Sequence, residues 1–459
     1  MSHRRILATG LPVALLLLLT TSAKPAGVSD IKIPNIELQQ TTLSNGLHVI
    51  LAPDHSAPVY AICITYNVGS RNERPGRTGF AHLFEHMMFQ GSENVGKGEH
   101  FILIFNNGGG MNGTTNSDRT NYFEELPKNQ LDLGLFLEAD RMRSLNITQA
   151  NLDNQRNAVQ EERRQGIDNQ PYGRANLDLD NLAYDNFSYK HSTIGYMSDL
   201  NAATIDDVRQ FFKTYYAPNN AVLTLAGDFD PTEALEKIKK YFGTIPEQPA
   251  PPKVDLHEEK HYGERMETIY DPLARQPEID MAYLIPPGNT EGNYAMQNLA
   301  IILGQGESSR LYQHLVKDKQ LASNVTAYAD ARIGPGLLYI SANPRPGVKV
   351  EDLQKGLDDE ITELVKGGVT QQEVDKAKTL QLRRDIDRRR TSLSTAVLIG
   401  QYAVYFNDPE LVNTIYSKQN AITVQQVDAA AKEYLVNSQR AVVTTYPAAD
   451  ENAGAKGAQ

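Results

Sequence analysis

A chain of 459 residues is too long for one ordinary hydrophobic core and implies at least two domains. With 40% hydrophobic and 22% charged residues it has the composition of a soluble globular protein. Its net charge of −11 argues against nucleic acid or an anionic membrane as partner, since both are held by lysine and arginine clusters. Arg4 and Arg5, a largely apolar run over 6–19 and the small residues Thr21-Ser22-Ala23 read as a secretory signal peptide over 1–23. Its apolar run is too short for a stable span, so the mature chain is expected to be exported, to a periplasm in the simplest case, without stable membrane insertion. The only cysteine, Cys63, excludes an internal disulfide.

From 39 to 51, two β-rich runs flank Asn45-Gly46, which supplies the positive φ angles of a tight turn and predicts a hairpin. Residues 59–68 read as a buried strand. The stretch 79–89 then carries His82, Glu85 and His86 on a helical, mostly apolar pattern. Histidines four apart lie one above the other on a helix, so both imidazoles can reach one metal ion. Glu85 sits beside that ion and can take a proton from bound water. His-x-x-Glu-His is the inverted zinc-peptidase pattern. Its bland alternative is a helix with two packed or exposed histidines.

Gly110, Met111, Asn112, Gly113, Thr114 and Thr115 follow a glycine cluster that lacks the lysine of a phosphate loop. A strand poor in large side chains lets another backbone approach, which suggests an edge strand pairing with an extended peptide. The competing reading is a flexible turn before a plain strand. Helical patterns cover 133–143 and 151–164. Thr204 to Asp207 forms a capping box, followed by a helix to Tyr216, a strand over 221–226 and a helix ending near Phe242. Pro246, Pro249, Pro251 and Pro252 mark a linker.

The second half repeats the first. A strand over 278–284 and a helix over 292–303 match 60–66 and 79–89 at an offset of about 214 residues. That offset sets Met296, Leu299 and Ala300 opposite His82, Glu85 and His86, so the second copy keeps the helix without the metal chemistry. Helices are expected over 351–366 and 370–390, with Arg388-Arg389-Arg390 on a solvated face. A helix opened by Thr423 and a strand over 441–446 close the repeat. The expected organisation is a signal peptide over 1–23, a metal-binding domain over 30–245, a linker over 246–261, a homologous domain over 262–447 and a disordered tail over 448–459.

Four stretches carry a resemblance: 79–92, 108–122, 155–162 with Gln-Arg-Asn-Ala-Val-Gln-Glu-Glu, and 215–222 with Tyr-Tyr-Ala-Pro-Asn-Asn-Ala-Val. Together they resemble the pitrilysin (M16) family of zinc peptidases, in particular its short two-domain members of the mitochondrial processing peptidase type. The resemblance implies an α+β fold of two homologous domains, each an antiparallel-rich sheet packed with helices, enclosing a cleft. It implies one Zn2+ per chain, with His82, His86 and Glu162 as ligands and Glu85 as catalytic base. Glu161 is the rival third ligand, and Gln155 stands beside the ligands where many relatives carry a second glutamate. The segment from Gly110 to Thr115 would hold a peptide or unfolded polypeptide. Gly113 replaces an alanine common in relatives, which suggests a looser backbone. Active relatives also present an arginine and a tyrosine seven residues apart from the second domain. Here Val316 and Ser323 take those positions, and Arg310 and Tyr312 have the wrong spacing. The expectation is a heterodimer whose homologous partner supplies the pair; the alternative is a non-catalytic peptide-binding or scaffold subunit.

Overall fold

In the computed structural model, residues 33–259 and 263–448 are described, and those from Pro34 onward belong to one compact unit. The signal-peptide expectation and, apart from Ala448, the tail lie outside the described residues. Among the described residues no helix is long and apolar enough to cross a membrane.

The Asn45-Gly46 turn, with Gly46 at φ 83°, joins β1 (Gln39–Thr42) to β2 (His48–Pro53) as a hairpin. Four further strands complete the first sheet: β3 (Val59–Tyr66), β4 (Gly110–Thr115), β5 (Thr120–Pro127) and β6 (Ala221–Gly227). Their order is β1-β2-β6-β3-β5-β4. The second sheet holds β7 (Arg265–Asp271), β8 (Glu278–Ile285), β9 (Ala322–Ala329), β10 (Gly336–Pro344) and β11 (Arg440–Pro447), in the order β7-β11-β8-β10-β9. Omitting β1, the two orders are the same, and each sheet has one parallel pair, β2–β6 and β7–β11. The duplication is therefore visible in topology. Met296, Leu299 and Ala300 lie buried on the helix Glu291–Gly304. The proline stretch between the sheets has neither helix nor strand, since it lacks donors for either ladder.

The sequence halves nevertheless interlock. β3 alternates: Tyr60, Ile62, Ile64 and Tyr66 enter the core of the first half, while Ala61 and Cys63 face the other way, into the core of the second. Those small residues, with Thr65, make room for the helix Ser392–Phe406, which packs on β3 and β6 although it belongs to the second half of the chain. In return, α5 (Gly173–Ala183) from the first half packs through Ala175, Leu179 and Ala183 against Ala282, Leu337 and Val443 of the second sheet. Each large aliphatic side chain buried in this exchange, such as Leu179 or Ile399, contributes about 1.5–3 kcal/mol, so neither half is closed without the other's helix.

Of the Arg388-Arg389-Arg390 run, Arg388 and Arg390 are exposed as expected, but Arg389 is half-buried, and its guanidinium has Nε and Nη2 out of solvent. It lies one turn after the buried Asp385, whose carboxyl burial raises to about 6.

Gly400 lies where the exchanged helix meets the first sheet: a Cβ there would stand 2.6 Å from the Thr65 hydroxyl. Gly400→Leu should therefore destabilise the protein by about 1–3 kcal/mol through overpacking, read as a lower urea midpoint. An unchanged midpoint would contradict this packing.

Candidate metal centre

The helix α1 (Phe80–Met87) begins at Gly79, which has φ 82° and no side chain to cap the first turn. A Cβ at Gly79 would lie 2.6 Å from the Ile194 carbonyl. The cap comes from Glu73, whose carboxylate accepts from Gly79 N (2.9 Å) and Ala81 N (2.7 Å). His191 Nε2 completes the arrangement, 2.9 Å from Glu73 Oε2, with both side chains buried. Burial pushes the Glu73 carboxyl up, against the pull of His191 and the two N–H groups. Burial also opposes a charged His191, but the Glu73 hydrogen bond and charge overcome it and hold the imidazole above its ordinary value. Next to this cap, Asp199 accepts from Thr78 N and Thr78 Oγ1.

The helix α4 (Gln149–Arg163) is capped by Thr148 and held to the same 197–203 segment, with Arg156 donating to Leu200 O (3.0 Å) and Ala203 O (2.6 Å). One segment thus fixes both helices. Their juxtaposition brings His82 Nε2 to 3.6 Å and His86 Nε2 to 3.4 Å from Glu162 Oε2. Two atoms each about 2.0–2.1 Å from one tetrahedral zinc ion lie roughly 3.3–3.4 Å apart. The three side chains therefore fit a zinc ion with an open fourth position. Glu161 is turned to Arg164 and Gln165, and its carboxylate is bound there. Burial, aided by repulsion from His86, pulls His82 down to about 4, so its lone pair is free at neutral pH.

Glu85 projects from the same helix into the protein and is 9% exposed. Its Oε2 accepts from Thr115 Oγ1 at 2.5 Å. Burial raises its carboxyl above the ordinary glutamate range, with the Thr115 bond opposing.

The expected substrate strand is β4, at the free edge of the first sheet, in unbroken register with β5 from Gly110↔Glu125 to Thr115↔Thr120. The looser path expected at Asn112-Gly113 is absent. A Cβ at Gly113 would lie 3.1 Å from both Glu85 Cγ and the Tyr122 ring, so this glycine lets the strand press close to Glu85. Asn112 Oδ1 accepts from Gly113 N, and Thr115 spends its hydroxyl on Glu85. Gln155 is buried two turns before Glu162, with its amide donating to Asn154 rather than to an imidazole.

In the second half, Val316 lies in the π-helical turn Tyr312–Asp318, and Ser323, on β9, donates to the carbonyls of Asn343 and Pro344. Arg310 forks onto Glu373 at 2.5 and 2.7 Å, and Tyr312 packs on the core.

The sequence reading missed a second cluster of ligand types: His100, Glu124 and Glu138, all buried. Its members lie on α2 (Glu99–Asn106), β5 and α3 (Leu131–Arg143). Arg141 forks onto Glu138 there, and His100 Nε2 meets Glu124 directly. A guanidinium beside the carboxylates opposes a cation, so this is a hydrogen-bonded cluster in which burial raises both carboxyls to about 7.

Residues 48–195 match the family model "Insulinase (Peptidase family M16)", and residues 202–381 match "Peptidase M16 inactive domain". The chain is 31% identical over 412 residues to the zinc protease PqqE of Helicobacter pylori, covering 89% of this chain and 93% of that one. A crystal structure of a protease from Helicobacter pylori aligns with TM-score 0.85 at 31% identity, over 90% of this chain and 100% of that one. The periplasmic protease PqqL of Escherichia coli shares the fold, with TM-score 0.75 at 21% identity over 92% of this chain and 49% of that one.

His82 yields a pH prediction for the metal-free protein. Its folded pKa of about 4 lies below the ordinary 6.5, so between those values the unfolded chain binds the extra proton and stability rises with pH, by about 3 kcal/mol over the whole window. In chelator-treated protein, the wild type should lose stability relative to His82→Gln as pH falls from 6.5 to 4 in urea denaturation. Parallel pH profiles would contradict it.

Proposed function

The chain belongs to peptidase family M16, and we propose that it is the zinc-bearing subunit of an exported endopeptidase that hydrolyses peptide bonds in extended or unfolded polypeptides. The observation that carries this reading is the convergence of His82 Nε2, His86 Nε2 and Glu162 Oε2 beside the buried carboxylate of Glu85. The names of relatives as zinc proteases support the metal. Zinc held there would supply Lewis acidity, polarising the scissile carbonyl and lowering the pKa of a bound water. Glu85 takes the proton and later gives it to the leaving amine, a task suited to a carboxyl held above its ordinary range. Thr115 orients that carboxylate. The free edge of β4 offers backbone groups to an extended peptide, which pairs with little regard to side chains.

Two further parts of the proposal rest on sequence features. The apolar N-terminal run supports export, as does the description of PqqL as periplasmic. Val316 and Ser323 in place of an arginine and a tyrosine support a homologous partner subunit that donates them, since transition-state donors of this kind are worth a few kcal/mol. The same deficit favours the second reading, a peptide-binding subunit without catalysis.

Glu85→Gln should keep one zinc per chain by elemental analysis and lose hydrolysis of an unstructured peptide by at least about 100-fold. Retained hydrolysis would overturn the assignment of the base. Glu162→Ala should lose the zinc. The purified chain alone should be slow, and a copurifying homologue carrying the arginine and tyrosine should restore the rate; full activity alone would refute the heterodimer.

A further inference from the structure

The β4–β5 hairpin ends in a tip, residues 116–119, that is bonded to both halves of the chain. Asp118, 2% exposed, accepts through Oδ1 from Arg71 Nη1 (3.1 Å) and the Tyr189 hydroxyl (2.7 Å). Its other oxygen, Oδ2, accepts from Ile333 N (2.9 Å) in the turn between β9 and β10 of the second half. The next amide of that turn, Gly334 N, donates to the Tyr189 hydroxyl at 3.0 Å. Beside it, the Asn116 side-chain amide and the hydroxyl of Tyr405, on the exchanged helix Ser392–Phe406, exchange hydrogen bonds of 2.8 and 3.0 Å.

From this tip, bonds run back along the candidate substrate strand. Arg119 donates to Thr114 O (2.7 Å), to the Thr114 hydroxyl and to Asn121 Oδ1 (3.0 Å). Thr115, the next residue, holds Glu85. The backbone of 69–71 closes on the tip from the other side: Ser70 N and Arg71 N donate to Asn116 O and Ser117 O. A Cβ at Gly69 would lie 2.3 Å from Asn116 O, which leaves no room for the tip to shift in that direction.

We propose that the metal-free second half positions the peptide-binding strand through this tip, with Asp118 and Tyr405 as positioning residues for β4 and, through Thr115, for Glu85. The proposal rests on the peptidase reading above and assigns the second half a part in it: a backbone turn and one hydroxyl that hold the edge strand in the register a peptide must meet. An aspartate is suited to the place because it offers two acceptor oxygens at once, one to each half. Asparagine offers one acceptor and an NH2 group that must face a donor.

The test uses the full chain with its zinc, as wild type, Tyr405→Phe and Asp118→Asn, together with the same two changes in a Glu85→Gln background. Kinetics on an unstructured fluorogenic peptide are read beside binding of that peptide to the Glu85→Gln proteins by anisotropy. The expected result is full zinc content, a KM and a dissociation constant raised about tenfold in both variants, and a smaller fall in kcat. Should Asp118→Asn fail to fold, Tyr405→Phe carries the test, because it removes one oxygen and leaves the fold's apolar contacts. Lowered melting temperatures with unchanged KM and dissociation constant would overturn the proposal and make the tip a structural joint. If the wild type binds the peptide and never cuts it, the catalytic reading fails while the binding arm still decides the role of the tip.

Discussion

Glu73 accepts hydrogen bonds from the first amides of the helix that carries His82 and His86 and is paired with His191, and both side chains of the pair are out of water. The helix has no other side-chain cap, because its first turn starts from a left-handed glycine. Removing one member of a buried, hydrogen-bonded charge pair costs about 3–5 kcal/mol, so the start of α1 is set by a carboxylate outside it. With the start set, the helical period decides where His82 and His86 point, and Arg156 and Asp199 bring α4 to meet them.

The two sequence halves are chemically unequal and structurally interdependent. One holds the imidazoles; its copy holds Met296, Leu299 and Ala300 in an apolar interior. The exchange of α5 against the helix Ser392–Phe406 gives each sheet a cover made by the other half, and the hairpin tip adds polar bonds between them. The second copy, apolar where the first carries the imidazoles, is therefore bonded to the hairpin whose strand meets Glu85.

Much of this was legible in the sequence where the cause is local. The hairpin at Asn45-Gly46 and the capping box at Thr204 depend on neighbours within four residues, and both form, with Gly46 alone of the turn pair at positive φ; Thr370 and Thr423 open their helices with boxes of the same kind. The helix with His82 and His86 was legible because the two imidazoles are one turn apart; Glu162 was placed by resemblance, and in the structure it stands beside them while Glu161, about 100° round the helix, is bound to Arg164 and Gln165. What was hidden depends on distant partners. Glu73 and His191 are 118 residues apart, and nothing near either names the other. The helix Ser392–Phe406 is apolar on most sides, so its pattern names no partner sheet. Gly113 suggested looseness because sequence shows the missing methyl and not the Glu85 and Tyr122 atoms that crowd its place. His100, Glu124 and Glu138 are scattered singly, and only the fold gathers them.

Whether His82, His86 and Glu162 together hold one zinc ion is decided by diffraction at the zinc absorption edge. The expected result is a single anomalous peak about 2 Å from His82 Nε2, His86 Nε2 and Glu162 Oε2. A peak in the His100, Glu124 and Glu138 cluster instead, or no peak in protein purified with zinc, would contradict it.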